Sequence, residues 1–167
     1  ILQYVADQKP GTLAPVFGTL SRWKLMEWIA FISTEVHKGF GPLWNPQTPA
    51  DVRERTVQAL GNRFTFISKT LEQQPFLTGD TFSIADAYLW VVLNWADYHK
   101  VDLASWPALQ QFRARVATRS ELVGRALRRL DAAARRRDGH RFVLGSVVPA
   151  HAHDLARVLA GKLRLLG

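Results

Sequence analysis

The sequence predicts an all-α fold, and three observations lead to this prediction. A helix-start signal at Ser83 and Asp86 precedes an apolar segment that runs to about Tyr98. Apolar residues recur every three or four positions between residues 19 and 38, and again between 48 and 74, which is the spacing of one helix face. No strand-like alternation occurs before residue 140. Such helices can bury their apolar faces only against one another.

The helix that follows Ser83 is predicted to be the core element. Its Ser hydroxyl can accept the backbone N–H of Asp86, while the Asp86 carboxylate reaches back to the N–H of Ser83, which makes a capping box. Apolar residues lie on nearly every side of the segment, as in a helix surrounded by other helices. A box worth about 1 kcal/mol explains both residues structurally, so neither is predicted to be catalytic.

The segments before this core helix are predicted in order. Residues 1–7 have the spacing of a helix end, and the Pro- and Gly-containing residues 8–15 form a linker at a domain boundary. A long amphipathic helix should run from Thr19 or Ser21 to about Lys38, where Gly39, Gly41 and Pro42 end it. Its apolar stripe comprises Leu25, Ile29, Ile32 and Val36.

A second long helix is predicted from Thr48 to Gln74. Thr48 should cap it, Pro49 suits the first helical position, and Asp51 should close another capping box. Pro75 stops this helix. Further helices are predicted after Pro107 and, as a short one, from Ser120.

Charge and composition limit the function classes. The chain has 167 residues, a formal net charge of +8 and no cysteine, so disulfides, cysteine-based metal sites and a cysteine nucleophile are excluded within it. Residues 1–124 hold 12 Lys and Arg against 11 Asp and Glu, whereas residues 125–167 hold 10 against 3. The basic charge therefore belongs to the tail, and nucleic-acid binding is not predicted for the folded part. The absence of a long apolar run and of a signal peptide predicts a cytoplasmic protein without membrane spans.

Several motifs resemble one protein family. They are Ile-Leu-Gln-Tyr-x-Ala-Asp at the start, a Leu-Ala-Pro linker, Thr-Glu-Val-His-Lys-Gly-Phe at 34–40, and Phe-Ser-Ile-Ala-Asp-Ala-Tyr at 82–88 followed by Trp95-Ala96. Residues 1–127 thereby resemble the C-terminal helical domain of bacterial beta-class glutathione transferases. The resemblance implies an end of the N-terminal domain and linker over 1–15, a helical bundle over 16–127 and a basic extension over 128–167.

The resemblance also implies roles for individual residues. In that family a thioredoxin-like domain ahead of the helical domain binds glutathione, and this sequence begins after that site. His37 and Lys38 are the implied catalytic residues, because the corresponding side chains face the cleft, where a cation can stabilise the glutathione thiolate. A helix C-terminus alone would also favour these cations. Trp95 is implied to bind substrate, and packing is the competing explanation. Ala30 replaces an asparagine through which relatives reach glutathione of the partner subunit.

The tail after about Arg125 departs from the family pattern. It is either a basic helix for nucleic acid or an acidic membrane surface, or a solvated helix without a partner, or the product of a shifted reading frame. His140, His151 and His153 are too widely spaced to predict a metal site.

The predicted function is that of a glutathione transferase fragment, inactive alone, that supplies the hydrophobic-substrate half of the cleft. Glutathione would be a co-substrate, no cofactor is predicted, and a homodimer is expected from the family. The alternative is a non-catalytic helical interaction module with a basic tail.

Overall fold

The structure, a computed structural model, describes residues 2–119. Four helices are α1 (Leu2–Asp7), α2 (Leu20–Phe31), α3 (Ala50–Leu71) and α4 (Ile84–His99), and residues 107–119 form α5. Within the described residues, β-pairing is confined to an isolated bridge between Phe76 and Gly79, which confirms the all-α prediction. None of the described helices is both long and apolar enough to cross a membrane.

The chain divides into two compact units, residues 1–114 and 115–167. The helix predicted from Ser120 and the basic extension predicted over 128–167 lie outside the described residues.

Helix α4 is the core element, as predicted. Its fully buried side chains are Ile84, Ala85, Asp86, Ala87, Leu89, Val92, Leu93 and Ala96. They pack against α1, α2 and the segment that follows α2. Burial of the larger aliphatic members contributes roughly 1.5–3 kcal/mol each, so most of the stability of this helix comes from its neighbours.

A buried carboxylate ties the start of α4 to the preceding turn. A capping box joins Ser83 and Asp86, and the N–H and hydroxyl of Ser83 donate to Asp86 Oδ2 at 2.8 and 2.7 Å. The other oxygen, Oδ1, accepts the N–H of Leu77 at 2.8 Å. Burial raises the pKa of Asp86, and the hydrogen bonds from Leu77 and Ser83 oppose that rise. The carboxylate thus holds both the start of α4 and the turn around Leu77, whereas a capping box alone would hold only the helix start.

The prediction that Gly39, Gly41 and Pro42 end the helix near Lys38 is wrong. The α-helical part, α2, already ends at Phe31, but the chain does not leave a helical path there. The chain stays helical, first as a π-helix over Ile32–His37 and then as a 3-10 helix over Lys38–Trp44, which contains Pro42. Gly39 serves close packing here, because a Cβ at this position would lie 2.9 Å from Cδ2 of Leu60 on α3. The small residue therefore lets the 3-10 segment approach α3 and does not stop the helix.

The predicted start and end of the second helix also need correction. Pro49 occupies the cap position of α3, and no side chain caps it. The Thr48 hydroxyl donates instead to the carbonyl of Pro42 at 2.6 Å, and Asp51 pairs with Arg55 at 2.6 Å. The hydroxyl is thus used to close the preceding loop. The helix ends at Leu71, three residues before the predicted Gln74.

A helix is present before the linker, as the spacing of residues 1–7 predicted, and it is α1. The linker itself packs closely: Leu13 and Ala14 are buried, and the Leu13 carbonyl accepts the N–H of Ile84 at 2.9 Å. The linker therefore covers the start of the core helix.

Candidate functional site

An aromatic cluster lies between α4 and the π and 3-10 helices that follow α2. We call α2 and these two helices together the α2 segment (residues 20–44). We define the aromatic cluster by His37, Phe40, Trp44, Trp95 and His99. Trp95 is the centre: its ring lies edge-on to His37 at 4.7 Å, to Trp44 at 5.3 Å and to Phe40 at 5.8 Å between ring centroids. His99 contacts Trp44 edge-on at 4.4 Å. Edge-to-face pairs in this distance range are favourable beyond the area that they bury.

His37 is held by a hydrogen bond to α4. Its Nδ1 lies 2.7 Å from the hydroxyl of Tyr88, which also has a side-chain hydrogen bond with Ser33. Burial raises the pKa of Tyr88 and lowers the pKa of His37, so the phenol keeps its proton and the imidazole is neutral at neutral pH. In the tautomer of His37 that carries its proton on Nε2, the Tyr88 hydroxyl donates to Nδ1. In that tautomer the Nε2–H of the neutral His37 ring is a hydrogen-bond donor.

Two buried polar atoms in the aromatic cluster have no hydrogen-bond partner within the described residues. They are Nε1 of Trp95 and Nε2 of His99. Both residues are 9% exposed. An unpaired buried polar group costs about 1–3 kcal/mol. A ligand or water that reached these atoms would recover that free energy.

Lys38 faces a different surface from His37. It lines a groove of about 370 Å³ together with residues of the π and 3-10 segments and of α3, among them Glu35, Gly39, Leu60 and Arg63. In this groove Arg63 pairs with Glu35 at 2.9 Å. The structure therefore does not bring Lys38 to the aromatic cluster, although it adjoins His37 in sequence. Ala30 is exposed on α2.

Sequence reasoning missed Tyr88 and His99 as parts of this site. The available signal was their spacing: Tyr88, Trp95 and His99 are seven and four residues apart, which places them on one face of a helix. No such spacing pointed to Trp44, because it lies between the two predicted long helices and the 3-10 helix Lys38–Trp44 that positions it was not predicted.

The two histidines predict a pH dependence of stability. Burial lowers the pKa of both His37 and His99, with the charge of Arg53 adding to the effect at His99. Above the ordinary histidine pKa of 6.5, both side chains are neutral in the folded and in the unfolded chain, and they do not lower the free energy of unfolding. Below it the unfolded chain binds protons first, so the free energy of unfolding should fall as the pH drops through the lowered folded-state values.

Thermal unfolding at about pH 7.5 and about pH 5.5 measures this effect. His99→Gln should reduce the loss between the two pH values relative to the parent chain. An unchanged loss in that variant would contradict the assignment to His99.

The profile described as "Glutathione S-transferase, C-terminal domain" matches residues 31–120, which is more than half of the chain. The chain belongs to the glutathione S-transferase family. Two curated relatives of this glutathione S-transferase chain match over 124 residues: Glutathione S-transferase GstA of Escherichia coli O157:H7 is 39% identical, covering 73% of this chain and 61% of the relative. Glutathione S-transferase GST-4.5 of Xanthomonas campestris pv. campestris is 36% identical, covering 70% and 61%.

Solved glutathione S-transferase structures share the fold. The ternary complex of BphK, a bacterial GST, superposes with a TM-score of 0.67 at 47% identity, covering 68% of this chain and 57% of BphK. The beta-class enzyme of Sphingomonas chungbukensis gives a TM-score of 0.66 at 36% identity, covering 70% and 58%. This glutathione S-transferase chain thus spans about three fifths of the length of the curated relatives that it matches.

Proposed function

We propose that this chain supplies the electrophile-binding half of a glutathione transferase, in which the glutathione thiolate attacks a hydrophobic electrophile. The main support is the bridge that His37 makes between the α2 segment and α4, hydrogen-bonded to Tyr88 and packed against Trp95. This bridge places a polar donor beside aromatic surface, which is the combination that a small-molecule site needs.

The chemistry that these groups can assist is a substitution at carbon. With an aromatic halide, the thiolate sulfur forms a bond to the ring carbon, and the carbon–halogen bond then breaks to release halide. His37 Nε2–H would donate to the thiolate sulfur and hold it against the ring. Trp95 Nε1–H, unpaired within residues 2–119, would donate to a polar substituent of the electrophile. The aromatic cluster would bind the apolar remainder.

Lys38 has a smaller role in this proposal. Lys38 lines the groove beside α3, so its charge would act through solvent on a thiolate held at the aromatic cluster. Charges screened in this way contribute little. We therefore expect His37 to matter more than Lys38 for turnover.

A homodimer in the cytoplasm is part of the proposal. Trp28, Phe31 and Phe66 form an aromatic group between α2 and α3 with ring centroids 5.0–5.9 Å apart, and Phe66 is 52% exposed. Such a surface suits contact with a second copy.

The second candidate function is a non-catalytic interaction module. The observation that favours it is an exposed apolar group, Phe17, Leu20 and Trp23, at the start of α2. The rings of Phe17 and Trp23 lie 6.4 Å apart between centroids, and neighbouring exposed apolar side chains are typical of protein contact surfaces.

Substitution of His37 tests the enzymatic proposal. In a fusion that places a beta-class glutathione-binding domain ahead of α1, His37→Ala should lower kcat/KM for chlorodinitrobenzene by about tenfold to a hundredfold, because it removes one donor to the reacting sulfur. Lys24→Ala, an exposed change earlier on α2, is the matched control, and Lys38→Ala should fall between them. Equal effects of the His37 and Lys24 changes would refute a role for His37 in turnover.

A further inference from the structure

A buried arginine outside the aromatic cluster joins α1 to α2. Arg22, in the first turn of α2, is 1% exposed. Its guanidinium makes a two-pronged contact with the carboxylate of Asp7, Nη1 to Oδ1 at 2.8 Å and Nη2 to Oδ2 at 2.9 Å. Because Asp7 is the last residue of α1, this ion pair connects two helices across the linker.

The same guanidinium contacts two further segments. Nη2 donates to Oε1 of Gln3, also on α1, and Nη1 donates to the carbonyl of Pro15 in the linker, both at 3.4 Å. Its central carbon lies 5.9 Å from the ring centroid of Phe17, within reach of a cation–π interaction. One side chain thus contacts α1, the linker and the start of α2.

Because the Arg22 guanidinium is buried, its charge needs a partner. A buried guanidinium is tolerated only when it is paired. The Arg22 side chain is 1% exposed and that of Asp7 is 43% exposed, so removal of Asp7 would leave the buried charge of Arg22 uncompensated. The geometry of two parallel N–H···O bonds also fixes orientation, which a lysine at this position could not do. Any rotation of α1 away from α2 would break both bonds at once.

Helix α1 has one buried residue, Ala6, among Leu2–Asp7. It does pack against α4, the helix that presents Tyr88 and Trp95. The pair of Arg22 with Asp7 therefore adds a polar contact with α2 to the packing of α1 against α4.

We propose that Arg22 is a positioning residue: it locks α1 onto the helical domain, and so sets the orientation of any domain joined ahead of α1 relative to the aromatic cluster. Its consequence for a glutathione-binding domain rests on the proposed function. The attachment of α1 through Arg22 and Asp7, which we call the lock, does not rest on the proposed function. It can be measured in the 167-residue chain without glutathione.

Hydrogen exchange of the 167-residue chain tests the lock. The reporters are the amides of Ala6 and Asp7 in α1 and of Gln8 and Lys9, which bond back to Val5 and Ala6. Arg22→Met keeps the length and apolar stem of the side chain but removes the charge, and should lower protection of these amides by about a hundredfold. Protection of the α3 and α4 amides should fall far less. Arg22→Lys should give an intermediate loss, because it restores the charge without the two-pronged geometry.

Two further variants make the result decisive. Asp7→Asn leaves Arg22 in place and should reproduce the α1 loss, so a folding defect of Arg22→Met would not end the test. Arg55→Met removes the exposed pair with Asp51 and should leave α1 protection unchanged. Unchanged α1 protection in Arg22→Met, or an equal loss across α1, α3 and α4, would overturn the lock. Failure of the fusion enzyme with an intact lock would count against the proposed function alone.

Discussion

The 167-residue chain alone is expected to conjugate glutathione to chlorodinitrobenzene no faster than the uncatalysed reaction. The aromatic cluster can hold an electrophile, but under the proposed function the groups that bind glutathione belong to a domain ahead of α1. Without them the thiol is neither positioned nor ionised, and positioning alone can supply about 7–11 kcal/mol of the barrier.

The matched experiment is the fusion with a beta-class glutathione-binding domain. It should raise turnover by several orders of magnitude over the chain alone, measured by absorbance of the conjugate at equal protein concentrations. The added domain by itself is the control and should also be inactive. Clear turnover by the unfused chain would contradict the division of the site, and an inactive but folded fusion would contradict the proposed function.

Replacement of Asp86 is expected to have the largest effect on stability. Asp86→Ala strands the buried N–H groups of Leu77 and Ser83, which now donate to its carboxylate at 2.8 Å. Each stranded donor costs about 1–3 kcal/mol, partly offset by relief of the buried carboxylate. We expect a loss of about 3 kcal/mol in the free energy of unfolding and a fall of roughly 10 °C in Tm.

Asp51→Ala is the control for this change. Asp51 is in the first turn of α3. Its side chain is 67% exposed and that of its partner Arg55 is 71% exposed, so the variant should lose no more than about 1 kcal/mol in the free energy of unfolding. Asp86→Asn should fall between the two, because its amide oxygen can still accept one of the hydrogen bonds. The order of the three Tm values is the measurement, and a lower Tm for Asp51→Ala than for Asp86→Ala would contradict the central place given to α4.

Local signals in the sequence were enough for the main elements. The Ser83–Asp86 spacing and the apolar run after it predicted α4, and the repeat from Leu25 to Val36 predicted α2, because helix caps and apolar faces depend on residues within a few positions of one another. Wrong predictions arose where a local signal had another use. Thr48 looked like a cap but closes a loop through Pro42, and Gly39 looked like a helix stop but makes room for Leu60.

The sequence by itself determined the all-α class, the core helix and the family motifs around His37 and Trp95, since each is written in a short stretch of chain. Only the tertiary structure decided how these residues act. It separated His37, which contacts α4, from Lys38, which faces α3, because adjacent residues on a helix point in different directions. It lowered the pKa of His37 by burial, and it paired Asp7 with Arg22 across the linker. Burial and contacts between distant segments depend on how the helices pack, which no local pattern of residues specifies.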